Sequence, residues 1–517
     1  MARRNADSGD LRSPRLPNIA TMKRKPATGI PFHVHPTGPL GKNISCCRNV
    51  PGAFLPAGGP RPEGPAHPTG KPLLWYSSAS RLQKPSPAGI AGAGARPSQA
   101  GPRIKGTPGA IHRSVWHARG RTDRPQTEVN QPVSELNDRY FPALRGLSYL
   151  NAAGEGPLPR VASEAMAAAA ALKERPEAIG RTQYGLLPAA VRERIARLIG
   201  AEPGDIALTG STSAGIAAAA RELPLPPGGE ILLLEGQFPS NVLPWKAAER
   251  RGGVIRRVPL GRGESPLAAL RAAASPRTAI VSVDWIGFST GVAAEIEEIG
   301  AMCRTLGALF VLDAAQGAGV LALDVQRVGA QLVAAAGHKW LLGPPGTGFL
   351  YVSPDLGGSF HPYNAGWLHI ALRAGFGRLS DFDPEAVPSE AERIESGTPS
   401  WLLLAGWKES LDLLLSIGAG AIERRVMELA RHAQEAVRRA GLELLSPQGP
   451  PLASPIVVAG AGAATSRVHR ALGRSGVITA LRDGGIRIAP HFYNTESDMV
   501  RFETAARLAL SEAAAGR

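Results

Sequence analysis

The sequence predicts an α/β protein with a mostly parallel, doubly wound sheet in a large domain and a smaller α+β domain after it. Three observations predict this. Short all-apolar runs such as "EILLLEG", "TAIVSVDWIG" and "ALFVLDAAQ" alternate with helical stretches between Asp205 and Lys339. These runs lack polar alternation, the mark of strands covered on both faces. Beyond Trp401 the texture changes to long helical repeats and then to short strands separated by turns.

The elements follow in order. Residues 1–130 carry a net charge of +15, the whole formal charge of the 517-residue chain, and the other 387 residues are balanced. This segment holds 19 Pro and 16 Gly and shows no helical or strand period. Too little apolar surface is present to offset chain entropy, so it reads as a disordered basic segment. A start codon placed too far upstream, or a tail without function, is the favoured account of it. Tethering to nucleic acid is disfavoured, because the regular aromatics of a base-stacking platform are absent.

From Val133 the folded texture begins. "LSYLNAAGEGPLP" reads as a short strand and a turn, and "VASEAMAAAAALKE" as a helix capped by Ser163. "PAAVRERIARLIGA" is helical and closes near Gly200. Strands "DIALTG", "EILLLEG" and "TAIVSVDWIG" are each followed by a helical run, and "ALFVLDAAQ" and "LVAAAGHK" come after them. Residues 354–400 are loop-rich. "WLLLAGWKESLDLLLSIGAGAIERRVMELARHAQEAVRRAG" reads as long helices. "SPIVVAGA", "RVHRALGRSG", "VITALRDG", "GIRIAP" and "TESDMVRFETAARLALSEAA" complete the small domain. The expected division is 1–130, 131–400 and 401–517.

No apolar run is long enough to span a bilayer, and no apolar leader follows "MARRNADSGDLRSPRLP". Cys46 and Cys47 are adjacent in the basic segment and Cys303 lies in a helical pattern, which is neither a disulfide framework nor a zinc spacing. A reducing cytoplasm, no metal and no membrane are expected.

Ligands of such sheets bind at the carboxyl ends of the strands, so residues at those ends are the candidates for chemistry. "LTGSTSAGI" puts Ser211, Thr212 and Ser213 where a helix begins, which is either an anion cradle or ordinary capping. Phe238 lies just beyond the next strand, as a plate for a planar ligand or a packing residue. "LFVLDAAQ" ends on Asp313, with Gln316 after it, and a buried carboxylate needs a partner, either a ligand's ring N–H or, as an N-cap or structural ion pair, the protein itself. "AAAGHKWLLGPPGTGFLYV" ends the next run on His338 and Lys339. Pyridoxal phosphate uses all four features: a cradle for its phosphate, a plate for its ring, a carboxylate for its ring nitrogen and an amine for its aldehyde.

On "VLDAAQGAGVLALDV", "GHKWLLGPPGTGFLYV", "RIESGTPS" and "GGIRIAPHFYNTESD", the chain from about Val133 onward resembles the class V aminotransferase family of fold-type-I enzymes. That group includes cysteine desulfurases, kynureninases and isopenicillin-N-epimerase-like proteins. The resemblance implies that Lys339 joins the cofactor aldehyde covalently and shuttles the Cα proton. It implies that Asp313 keeps the ring nitrogen protonated, Gln316 bonds the ring hydroxyl, and Phe238 stacks on the ring. Thr212, Ser213 and His338 then hold or line the phosphate. Thr398 reaches the neighbouring subunit's phosphate in a homodimer. Arg487 clamps the substrate carboxylate, with a surface ion pair as the alternative. Asn151 lines the substrate end, with a turn residue as the alternative.

Two departures stand out. Many relatives carry serine where this chain has Ala336. Residues 473–495 lack the mobile cysteine that desulfurases need. The expectation is therefore an enzyme acting on an amino acid or related amine, an aminotransferase first, an epimerase or Cβ-lyase second and a desulfurase third. A non-catalytic binder of the same cofactor is the rival from another class.

Overall fold

The computed structural model describes residues 133–360, 391–395 and 397–515, with isolated positions at 366–368, 377 and 379–380. All of them fall within one unit, Thr107–Arg517. The basic segment, with Cys46 and Cys47, lies outside the described residues, as does most of the loop-rich stretch 361–390.

After a two-residue strand, β1 (Ser148–Tyr149), come β2 (Ile206–Thr209), β3 (Glu230–Leu234), β4 (Val254–Val258) and β5 (Thr278–Asp284). Next are β6 (Leu309–Asp313), β7 (Leu332–Ala336) and β8 (Gly348–Val352). Strands β2 to β8 form one sheet in the order β2-β8-β7-β6-β5-β3-β4. Only β8 runs against the others. Its direction follows from the connection: 337–347 has no crossover helix, so the chain turns straight back, as only an antiparallel pair permits. Every residue of β3 and β7 is buried, which explains their unbroken apolar runs.

Two local expectations are corrected. Strand β4, "VIRRV", did not stand out in the sequence, because an edge strand tolerates exposed arginines. Ser163 is not a cap. The helix Arg160–Lys173 starts three residues earlier, with Pro159 at its N-cap, and Ser163 Oγ donates to the Arg160 carbonyl. Proline needs no N–H partner there and ends the extended approach to the helix. The helix Leu187–Ile199 closes as expected, on Gly200 at φ +72°.

The second sheet uses β9 (Glu443–Leu444) and β10 (Val457–Gly460). After β11 (Val477–Ile478) come its other two strands, β12 (Ala480–Arg482) and β13 (Gly485–Ile488). Its order is β12-β13-β10-β9, antiparallel throughout. Helices Trp401–Ile417 and Ala419–Arg439 precede it. Strand β11 pairs in parallel with β1, and Ala489 bridges to Asn151. The segment 148–151 is thus carried to the end of the chain, beside the carboxyl ends of the larger sheet. No helix among the described residues is long and apolar enough to cross a membrane.

Candidate active site

Two neighbouring strands end on carboxylates. In the parallel pair β5–β6, Asp284 stands opposite Asp313, and both are buried. One more strand along, β7 runs out into Gly337, His338 and Lys339. Burial lowers the affinity of the Lys339 amine for its proton, and Asp313 most strongly opposes this. Its Nζ lies 5.3 Å from the centre of the Phe238 ring. Asp313 accepts the Ala315 N–H at 2.9 Å. Burial pushes its carboxyl up to about 6, against that N–H and the Lys339 charge. Three predicted residues, Asp313, Phe238 and Lys339, therefore meet.

The lysine turn is held from several sides. Gly156 N–H donates to the His338 carbonyl at 2.8 Å, and Gly337 N–H to the Thr347 carbonyl at 2.8 Å. Gln316 spans it: its Nε2 donates to Ala153 O at 3.1 Å and its Oε1 accepts Trp340 Nε1–H at 2.8 Å. One N–H and one lone pair of that amide remain for a ligand. His338 is half-buried, and burial, then the Lys339 charge, lowers its basicity. Leu342, at φ +53°, is a non-glycine residue in left-handed backbone on the same connection.

Ser211, Thr212 and Ser213 gather at one helix N-terminus, and part of their bonding capacity is already used. Ser211 is the N-cap of the helix Thr212–Glu222, its Oγ accepting Ala214 N–H at 3.2 Å. Ser213 Oγ shares a hydrogen bond of 2.7 Å with Ser240 Oγ. Thr212 Oγ1 is buried with no partner, at a helix N-terminus where backbone N–H groups favour an anion. That orphaned hydroxyl fits a phosphate. A Cβ on Gly348 would lie 3.2 Å from Ser211 Cα, so the cradle abuts the strand that leaves the lysine connection.

Arg487 on β13 is 2% exposed and has no acidic partner among the described residues. Its Nη1 donates to Phe288 O at 2.9 Å, its Nη2 lies 3.4 Å from Asn151 Oδ1, and its Nε is unpartnered. Burial, then Arg482, lowers it to about 10. A buried guanidinium with unspent donors has the chemistry to receive a carboxylate. Thr398 is exposed and lines a separate cavity of about 380 Å³ with Thr209, Gly210, Arg221, Gly346 and Thr347. Neither Lys339 nor Arg487 lines that cavity.

Three site residues escaped the sequence reading. Asp284 ends an apolar run as Asp313 does, a signal that "TAIVSVD" carried openly. Phe288 packs edge-on to Phe238 at 5.1 Å and offers its carbonyl to Arg487. Glu155 faces Lys339 electrostatically, its carboxyl raised chiefly by burial. Nothing in "GEG" marked it.

The profile of the family described as "Aminotransferase class-V" matches residues 180–503. The chain is 31% identical over 323 residues to an uncharacterized aminotransferase of Bacillus subtilis, covering 62% of this chain and 82% of that protein. It is 31% identical over 372 residues to the isopenicillin N epimerase of Streptomyces clavuligerus, covering 69% and 93%. The apo structure of a cysteine desulfurase from Thermococcus onnurineus NA1 superposes with a TM-score of 0.65 at 22% identity, covering 73% and 98%, a likeness of fold.

Proposed function

The chain belongs to the aminotransferase class-V family, and from that premise we propose that it is a pyridoxal-phosphate enzyme that transfers the amino group of an amino acid or related amine. The observation that carries this reading is the Lys339 amine, its hold on a proton weakened by burial, facing Asp313 and lying over the Phe238 ring.

When bound, the cofactor supplies an aldehyde that joins an amine and a ring that accepts the electron pair left at Cα. Asp313 holds the proton on the ring nitrogen. With the cofactor bound, the Lys339 amine would take the proton from Cα and give it to the former aldehyde carbon, across the intervening nitrogen. Arg487 grips the substrate carboxylate with its free donors, next to Asn151. Thr212, Ser213, Ser211 and His338 surround the phosphate, and Gln316 offers its remaining amide N–H to the ring hydroxyl. Phe238 covers the ring and keeps water from Lys339. Thr398 serves the neighbouring site of a homodimer. Residues 131–400 act as the cofactor domain and 401–517 as the small domain.

A second reading returns the proton to Cα, giving epimerisation; the isopenicillin N epimerase relative, matched over 93% of its length, favours it. A Cβ-lyase uses the same opening steps. Sulfur transfer is disfavoured: the one free cysteine among the described residues, Cys303, is buried, and burial raises its thiol to about 12.

Two measurements test the reading. The protein loaded with pyridoxal phosphate is expected to absorb in the visible, and Lys339→Ala to lose that band. With a panel of amino acids, release of a keto acid supports transfer, and appearance of the mirror-image amino acid supports epimerisation. Visible absorption that survives Lys339→Ala, or no product from any amino acid, overturns it in favour of a binding protein.

A further inference from the structure

We propose that Asp284 is a positioning residue of this site: opposed in register to Asp313, it anchors the 237–241 turn that sets Phe238 against Lys339, and it leaves to Asp313 the negative charge at the strand ends.

The geometry begins with register. Residues directly opposed on neighbouring strands point to the same face, with backbones about 4.8 Å apart. Asp284 and Asp313 are such a pair, 9% and 5% exposed. The cation acting on both is Lys339. Two buried carboxylates beside one ammonium leave one negative charge without a partner, and the inexpensive solution is to keep one carboxyl protonated. Lys339 responds to Asp313 before Asp284, so the charge belongs on Asp313.

Asp284 is spent on structure instead. Its Oδ2 accepts Phe238 N–H at 2.7 Å and its Oδ1 accepts Asn241 Nδ2–H at 2.9 Å. Its own N–H donates to Gln237 Oε1 at 3.1 Å, and Asn241 Oδ1 accepts Ser282 Oγ–H at 2.5 Å. Phe238 itself is 39% exposed, so core packing does not fix it. These bonds and the Phe288 ring do.

Burial first, then the Asp313 charge, raises Asp284 to about 8, against Phe238 N–H, Asn241 and Lys339. A cavity of about 590 Å³ is lined in part by Asp284, with Glu235, Arg262, Arg482 and Asp483 also on the wall, two of each sign. This cavity gives protons a route to the acid. The placing of Phe238 over a planar ring rests on the function proposed above; the protonation of Asp284 does not.

The test uses the full chain as wild type, Asp284→Asn and Asp284→Ala. First, thermal midpoints of the cofactor-free proteins are compared across pH. A group raised from 3.8 to about 8 on folding stabilises fully below its unfolded value, and that stability is lost as pH rises to about 8. Wild type is therefore expected to lose stability relative to Asp284→Asn over that range. Second, the visible circular dichroism of added pyridoxal phosphate is expected to keep its sign in Asp284→Asn and to vanish in Asp284→Ala. If Asp284→Ala does not fold, difference infrared decides: a protonated carboxyl band at neutral pH, present in wild type, should be missing from Asp284→Asn. Parallel pH curves, an unaltered band in Asp284→Ala or no protonated carboxyl each overturn the proposal. A wild type with no visible band defeats the proposed function instead, and the pH comparison still judges Asp284.

Discussion

Gly156 has no room for a side chain. A Cβ there would lie 2.0 Å from the Lys339 carbonyl oxygen, which is backbone and cannot swing aside. Gly156→Ala must therefore displace the lysine turn. We expect a stability loss of about 1–3 kcal/mol, read by denaturant melts, together with weaker retention of pyridoxal phosphate in equilibrium dialysis. Unchanged retention would show that the turn adapts. At this scale the sequence was partly legible. Asp313 and Lys339 stood out because a charged residue ending an apolar run contradicts its surroundings and demands a reason. Gly156 did not, since its need comes from a segment nearly two hundred positions away. Ser211 was ambiguous, because a cap and an anion ligand use the same hydroxyl.

Among the elements, the strands of the larger sheet were legible wherever burial on both faces erased polar residues. Edge strands were not. β2, at the opposite edge from β4, is tied by a tertiary contact: Glu395 pairs with Arg192 at 2.8 Å and accepts Leu208 N–H at 2.7 Å. Both ionic side chains are 11% exposed. Glu395→Ala takes this carboxylate away from the partly buried Arg192 guanidinium and from the Leu208 N–H. It is expected to cost roughly 3 kcal/mol and to raise amide exchange selectively in 206–209. A uniform rise across the sheet would count against this role. The connection 337–347 shows the same dependence on context. Its apolar run and Gly/Pro cluster were visible in the sequence, but its return as an antiparallel strand follows from the missing helix.

For the whole molecule, two buried carboxyls pull stability in opposite directions. Glu230 accepts Ser275 Oγ–H, Arg256 and Arg277, and in that order these hold it down at about 2 from 4.5. Its contribution is complete above 4.5 and is lost as pH falls towards 2. Asp284 works against rising pH. The cofactor-free protein should therefore be most stable in mild acid, and Glu230→Gln should flatten the acid side of its thermal profile while leaving the alkaline side alone. An acid limb unchanged by Glu230→Gln would show that other carboxylates govern it. The fold class and the confinement of net charge to 1–130 could be read from composition and period. The meeting of Asn151 with Arg487 could not, because 336 positions separate them. That meeting has a consequence for biosynthesis. A chain growing on the ribosome lays down β3, β5, β6, β7 and Lys339 while Arg487, to which the proposed function gives the substrate carboxylate, is still untranslated. Under the proposed function, a chain released before β13 would carry the lysine without the guanidinium.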